Sequence, residues 1–266
     1  IPSLRGFSSF DSMKVNILDP VRQCDLVKTS MLREKHAAAL SSRNEFSFDL
    51  LYDEAGHLSI RPSHKVESLK HFKPFSIDFT SGKMGYRSSH VKDEMIVKAL
   101  KKFDCSSTVV WDMTAGLGRD SFVLACAGFR VVMFEKSVVI AELLADGLSR
   151  LSLHDKESSL IASRMDIYNV NSSNIPNDVL SSIPRPNVCL LDPMFPAKKK
   201  SAHAKKDMQI LQRLLECESE DGNGKVLLDA AFAQAPSKVV VKRPINGQPL
   251  VDRPKPNYSL EGKTNR

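Results

Sequence analysis

The stretch of this chain that says most about chemistry is Leu190-Leu191-Asp192-Pro193-Met194-Phe195-Pro196-Ala197-Lys198-Lys199-Lys200, an apolar run closed by an acid, a proline, an aromatic and three lysines. A surface turn has use for the proline but not for an aromatic beside a cation cluster. An exocyclic amine on a nucleobase is a poor nucleophile because its lone pair is delocalised into the ring. Asp192 can accept a hydrogen bond from one N–H of such an amine, and a backbone carbonyl at Pro193 or Met194 can accept the other, which draws the lone pair out of plane. Pro193 stiffens the turn because its φ is fixed, and Phe195 can stack on the base for about 1–3 kcal/mol. Orientation of reactants supplies roughly 7–11 kcal/mol of barrier reduction, so no strong general base is needed. Asp192 is still available to take the proton after transfer. Asp192, Pro193 and Phe195 are therefore the candidate catalytic residues.

A second motif could hold the other reactant. Asp112-Met113-Thr114-Ala115-Gly116-Leu117-Gly118-Arg119-Asp120 follows the apolar "STVVW" (107–111). Two glycines spaced by one residue let a backbone turn sharply and approach a ligand. A dinucleotide fingerprint wants a third glycine where this chain has Ser121, and the only Gly-Lys-Thr, at 262–264, lacks both the first P-loop glycine and a preceding strand. S-adenosylmethionine fits better. It has no phosphate but carries a sulfonium, an amino group, a carboxylate and a ribose diol, so its site needs acids as well as glycines. Asp112 can meet the amino group. Glu135 lies 17 residues beyond Gly118, near the roughly 20-residue spacing at which a carboxylate reaches a ribose diol in such folds. Asp166 is expected near the adenine.

These motifs need a scaffold that brings them to one edge. From residue 107 the chain alternates strand and helix patterns: strands at 107–111, 129–135, 159–165, 187–191 and 238–242, with helices at 119–127, 138–150, 201–216 and 225–235. That order implies a parallel sheet covered on both faces, with ligands at the carboxyl ends of its strands. Before it, "FSFDLLYDEAGHLSIRP" (46–62) reads as two strands around a turn, "FSIDF" (75–79) as a half-buried strand, and 91–103 as an amphipathic helix. The expected division is an N-terminal α+β region at 1–88 and a catalytic α/β domain at 89–266.

Composition agrees. The 266 residues are 42% hydrophobic, enough for a substantial core, and the net charge of +7 suits a nucleic-acid or other anionic partner. Lys198, Lys199, Lys200, Lys205, Lys206, Lys242 and Arg243 are the candidate contacts to RNA phosphates. Five scattered cysteines and histidines such as His90 and His203 lack metal-ligand spacing, so no metal is expected, and no apolar run is long enough for a membrane span. A reducing compartment, the cytoplasm, is expected. The opening "IPSLRGFSSFDSMK" does not begin with methionine; read as a transit-peptide remnant, it makes an organelle the alternative.

The segments "DMTAGLGRDSFVLACAGFRVVMFEKSVVIAELLADGL", "RPNVCLLDPMFPAKKKSAHAKKDMQILQRLL" and "KVVVKRP" resemble the RsmJ family, over about residues 46–258. The resemblance implies a Rossmann-like class I methyltransferase that uses S-adenosylmethionine to modify the exocyclic N2 of a guanine in small-subunit ribosomal RNA. It also implies cofactor contacts by Arg119 and Asp120, by Glu135 and Lys136, by Met165 and Asp166, and by Asp192. The chain departs from the family pattern after Arg87, where it has "SSHVKDEM", and in a last strand expected beyond residue 266. Other readings stay open at this point: a methyltransferase for another planar amine (adenine N6 in DNA, or a protein glutamine), or a non-catalytic RNA-binding protein on this scaffold.

Overall fold

The computed structural model describes residues 15–17 (backbone only), 48–62, 74–193 and 224–262. Five strands form the central sheet: β4 (Val109–Asp112), β5 (Arg130–Phe134), β6 (Met165–Tyr168), β7 (Val188–Leu191) and β8 (Lys238–Val241), in the order β6-β5-β4-β7-β8, with every neighbouring pair parallel. The chain walks outward from β4 through β5 to β6, then returns to the other side of β4 for β7 and β8. The switch point lies between β4 and β7, where a crevice opens at the carboxyl ends in sheets of this kind.

Strict alternation along the strands builds two cores. Val110, Val131, Met133, Val188 and Leu190 face one side, against Phe122, Val123 and Leu124 of α3 (Arg119–Cys126) and Leu143, Leu144 and Leu148 of α4 (Val138–His154). Trp111, Val132, Phe134, Cys189 and Leu191 face the other, against Val179 of α6 (Asn177–Ser182) and Leu227, Leu228 and Ala231 of α7 (Gly224–Ala233). Apolar residues at both phases of the period-2 pattern mark strands buried on both faces.

The N-terminal part is a small sheet in the order β1-β2-β3. β2 (Phe48–Tyr52) and β3 (Leu58–Pro62) pair antiparallel, and β1 (Val15–Ile17) adds parallel to β2. Phe48, Leu50, Leu58 and Ile60 join the same buried cluster as α3 and α4. Asp146 of α4 accepts from the Leu58 amide at 3.1 Å.

Three expected elements differ. The segment 75–79 makes only one bridge, Phe75 to Ile60. Its alternation is real, since Ile77 and Phe79 are buried, but the segment lies as a strap across α4 instead of pairing in a sheet. Arg150 donates to the Ile77 carbonyl at 2.5 Å and to Asp146 at 2.8 Å. Gly147 makes room for the crossing, since a Cβ there would lie 3.0 Å from that carbonyl oxygen. The helix expected at 91–103 is broken into a 3₁₀ turn, Val91–Asp93, and α2 (Met95–Ala99). At the break Glu94 is extended, and Arg87 of α1 (Gly82–Ser89) grips its carboxylate with two bonds of 2.7 Å. The strand expected at 159–165 begins only at Met165, because Asp155 caps a helix, α5 (Lys156–Ala162), by accepting from the Ser158 amide at 2.7 Å. The helix expected at 201–216 lies outside the described residues.

Arg150→Met should free the strap. A charged hydrogen-bond donor of this kind is worth about 1.5–3 kcal/mol, so the urea midpoint should fall correspondingly, and an unchanged midpoint would show that the strap is held otherwise.

Candidate active site

The glycine loop leaves β4 at Asp112 and enters α3 at Gly118. The Ala115 amide donates to the Phe134 carbonyl at 3.1 Å, and the Met113 amide to the Leu190 carbonyl at 3.0 Å, so the loop is stitched to the tips of both neighbouring strands. Both glycines have positive φ, +52° at Gly116 and +67° at Gly118, but they do different work. A Cβ on Gly118 would lie 2.6 Å from Leu144 and 3.3 Å from Phe79, so this glycine lets α3 pack on the core. A Cβ on Gly116 would meet nothing closer than 3.9 Å; here the backbone faces open space.

Glu135 follows β5 and closes the loop from the side. One carboxylate oxygen accepts from the Gly116 amide and the other from the Ser137 amide, each at 2.8 Å. Two amides, one on each oxygen, orient the carboxylate. Asn169, just past β6, donates to the carbonyls of Glu135 and Lys136 at 2.8 and 3.2 Å, and the Ser172 hydroxyl donates to the Met113 carbonyl at 2.5 Å.

On the other side of β4 a chain of charges crosses the crevice. Arg87 donates to Asp120 at 2.9 Å, Lys242 pairs with Asp120 at 2.5 Å and with Asp192 at 2.8 Å. The Asp192 amide donates to the Thr114 hydroxyl at 2.6 Å, tying the turn after β7 to the glycine loop. Burial acts to raise the Asp120 carboxyl, but Lys242 and Arg87 outweigh it and hold it below the ordinary range. Burial wins at Asp192, whose pKa is raised despite Lys242. Burial would lower Lys242, yet the two carboxylates raise it. Asp112 is 3% exposed; burial pushes its carboxyl up to about 7, against the bonds it accepts from Ser121 at 2.6 Å and from the Thr114 amide at 3.2 Å.

Of the residues singled out from sequence, Asp112, Gly116, Glu135 and Asp192 gather at this edge. Arg119 and Asp120 occupy the first turn of α3, with Asp120 turned to the two cations. Lys136 follows Glu135, and Pro193 follows Asp192. Met165 and Asp166 are not brought there. In the parallel register they sit at the amino end of β6, opposite Val131 and Val132, with Met165 in the core and Asp166 paired to Arg130 at 3.3 Å. The residues that β6 does deliver to the carboxyl edge are Asn169 and Ser172, missed because the strand was placed too early. Thr114 and Arg87 were also missed. Lys242 and Arg243 are corrected as exposed phosphate contacts: Lys242 lies between two carboxylates, and Arg243 is 8% exposed and donates to the Gln248 carbonyl at 3.0 Å. Phe195, Lys198, Lys199, Lys200, Lys205 and Lys206 lie outside the described residues. Among the described residues, no acid, histidine or cysteine group could hold a metal ion, and no helix is long and apolar enough to cross a membrane.

The arrangement matches known proteins. A family model described as "Putative SAM-dependent methyltransferase" covers residues 33–266. The chain belongs to this family. It is 40% identical to the ribosomal RNA small subunit methyltransferase J of Thioalkalivibrio sulfidiphilus over 73% of its own length and 74% of that protein, and 42% identical to the protein of that name from Pseudoalteromonas atlantica, over 71% and 74%. The crystal structure of a SAM-dependent methyltransferase from Neisseria gonorrhoeae, NGO1261, is similar with a TM-score of 0.62 and 30% identity, over 85% of this chain and 83% of that one. The methyltransferase cofactor, S-adenosylmethionine, is cationic at its sulfonium and its amino group. The crevice suits it: open space at Gly116 and carboxylates at Asp112, Glu135 and Asp192 on adjoining tips.

Two outcomes follow. The folded Asp112 carboxyl binds its proton up to about pH 7, whereas unfolded it releases it near 4, so its contribution to stability is lost as pH rises from about 4 through 7. Asn mimics the protonated acid, so Asp112→Asn should flatten that slope in denaturant titrations, and an unchanged slope would deny the raised value. Gly118→Ala should destabilise by about 1–3 kcal/mol through overpacking, on top of about 1–2 kcal/mol of left-handed strain. Gly116→Ala should cost about 1–2 kcal/mol, the strain of a left-handed residue, and weaken cofactor binding in calorimetry. Equal effects on stability would contradict the division between them.

Proposed function

We propose that this chain transfers a methyl group from S-adenosylmethionine to the exocyclic N2 of a guanine in small-subunit ribosomal RNA. Two proteins similar to it over about three quarters of their length are named for small-subunit ribosomal RNA methylation. The observation that carries the reading is the bond from the Asp192 amide to Thr114 at 2.6 Å. It holds the turn that carries Asp192 beside the glycine loop, which supports reading its carboxylate as the amine acceptor, and neighbouring strands lie about 4.8 Å apart.

When bound, the cofactor supplies an electrophilic methyl group. The chain's residues hold and aim the reactants. Glu135, oriented by the Gly116 and Ser137 amides, would take the ribose diol; Asp112 would face the amino group; Gly116 would let the backbone approach. Arg119, Asp120 and Lys136 flank these positions, and Asp120 acts from behind them, through Lys242. Asp192 accepts one N–H of the guanine amine, which localises the nitrogen lone pair and aims it. The same carboxylate receives the proton once the nitrogen has gained its methyl group. Pro193 holds the turn, and Phe195 is the stacking partner for the base. Such a base must be unpaired or flipped out of a helix. Lys198, Lys199, Lys200, Lys205 and Lys206 are the proposed phosphate contacts. A cytoplasmic location belongs to the same reading.

The test is methyl transfer from labelled cofactor to naked ribosomal RNA and to small subunits, with the modified base mapped. Label at guanine N2 is expected, and Asp192→Ala should lose at least about 100-fold in rate, the scale of a positioned catalytic group, while still binding cofactor. Label at adenine N6, or full activity of the variant, would overturn the assignment.

A further inference from the structure

Five charged side chains from separate elements form one continuous series. Glu94 pairs with Arg87, Arg87 with Asp120, Asp120 with Lys242, and Lys242 with Asp192. The signs alternate, and three acids against two bases leave one net negative charge. The series starts at Glu94 beside α1, passes the first turn of the helix that follows the glycine loop, and ends at the turn after β7. Lys242 is its hinge. Its backbone amide continues the β7–β8 ladder by donating to the Leu191 carbonyl at 2.8 Å, so the lysine stands directly beside the end of the strand that delivers Asp192.

Two roles compete for this lysine. A phosphate contact would project outward and be exposed. Lys242 is 30% exposed at the side chain, and its ammonium is within 2.8 Å of two carboxylates. Losing the pair with Asp192 to reach a phosphate would leave that half-buried acid without its ion-pair partner among the described residues, which is costly.

We propose that Lys242 is a positioning residue for methyl transfer: shared between Asp120 and Asp192, it holds the Asp192 carboxylate in its charged form by one oxygen, Oδ2, and ties the acceptor turn to the helix that begins at the cofactor loop. The inference rests on the reading of Asp192 as the group that accepts the amine. Only a charged carboxylate can accept from the N–H and offset the charge that grows on nitrogen, and burial works against that state. The charged groups that face Asp192 are Lys242 and Arg243 on the β8 side, which favour the carboxylate, and Asp120 and Asp112, which oppose it. Lys242 alone among them makes a direct ion pair with it among the described residues. Arg87 matters at one remove. By bonding Asp120 from the far side it lets Lys242 lean toward Asp192 as well.

The experiment is a pH profile of the single-turnover methyl-transfer rate on small-subunit RNA, with RNA affinity and cofactor affinity measured separately by anisotropy and calorimetry. For Lys242→Met the acid limb should move up by about one pH unit, with the rate on that limb down by up to about tenfold and recovered on the alkaline plateau. RNA and cofactor affinities should change by less than about threefold. Lys242→Arg should restore the profile. Asp120→Asn should move the limb the other way, because the lysine then serves Asp192 alone and a like charge is gone; this variant keeps the test open if Lys242→Met does not fold. An unmoved limb overturns the proposal, as does a loss confined to RNA affinity with a salt slope reduced by about one, the signature of a phosphate contact. Full activity of Asp192→Ala would instead remove the function assigned to Asp192, whereas an inactive Asp192→Ala beside a wild-type profile for Lys242→Met would remove only the coupling.

Discussion

Three carboxylates share one crevice, Asp112 buried, Asp120 nearly so and Asp192 40% exposed at its side chain, and most of the site's construction answers the resulting repulsion. At an effective dielectric of about 20, two like charges 4 Å apart repel by about 4 kcal/mol, so three acids cannot all stay charged without partners. Each is handled differently. Asp120 receives two cations, Arg87 and Lys242, and is held fully ionised. Asp192 shares one of those cations, and burial still raises its pKa against that pairing. Asp112 is served by a hydroxyl and an amide, and it keeps its proton to about pH 7. Position therefore decides charge among chemically identical groups.

The parallel sheet makes this crowding unavoidable and also useful. A strand order that reverses beside β4 places the tips of β4, β5 and β7 next to one another, and β8 adds Lys242 at the same edge. Donor and acceptor groups are thereby fixed by backbone ladders instead of flexible loops. The two glycines show how local this precision is. One residue separates a position that must be small for the core from one that must be small for the crevice. Thr114 lies on the stretch between them and Asp112, and its hydroxyl joins the loop to the turn at Asp192.

Much of this was legible in the residues. Val110 and Trp111, or Cys189 and Leu190, are apolar at both phases of a strand, which predicts burial on both faces and hence a parallel sheet. An acid just past such a strand then has to sit at the ligand edge, which located Asp112, Glu135 and Asp192. The reading failed where a local competitor overrode periodicity. "SLIA" passes for a strand until Asp155 is recognised as a cap, and the misplaced register carried Asp166 to the wrong end of the sheet. "FSIDF" has the correct inward face, but which partner covers it depends on Gly147 and Arg150, some 70 residues away. No local signal could tell that Lys242 would turn toward two acids from distant segments. A lysine after a strand is equally consistent with a phosphate contact, and only the neighbouring tips decide it.

Protonation at Asp112 bears on how a cationic ligand is received. A buried acid that keeps its proton near neutrality spares the ligand-free crevice a third negative charge and the repulsion it would bring. A cation arriving beside it changes the balance, because an opposite charge within about 4–6 Å favours the ionised form. The ligand's charge then replaces the proton as the counter-charge, and the proton leaves. Asp192 cannot work this way. Its partner must already be in place when an uncharged amine arrives, since a neutral ring brings no compensating charge. On the proposed roles, that difference accounts for Asp112 being bonded to Ser121 and the Thr114 amide among the described residues, while Asp192 has a lysine at its side.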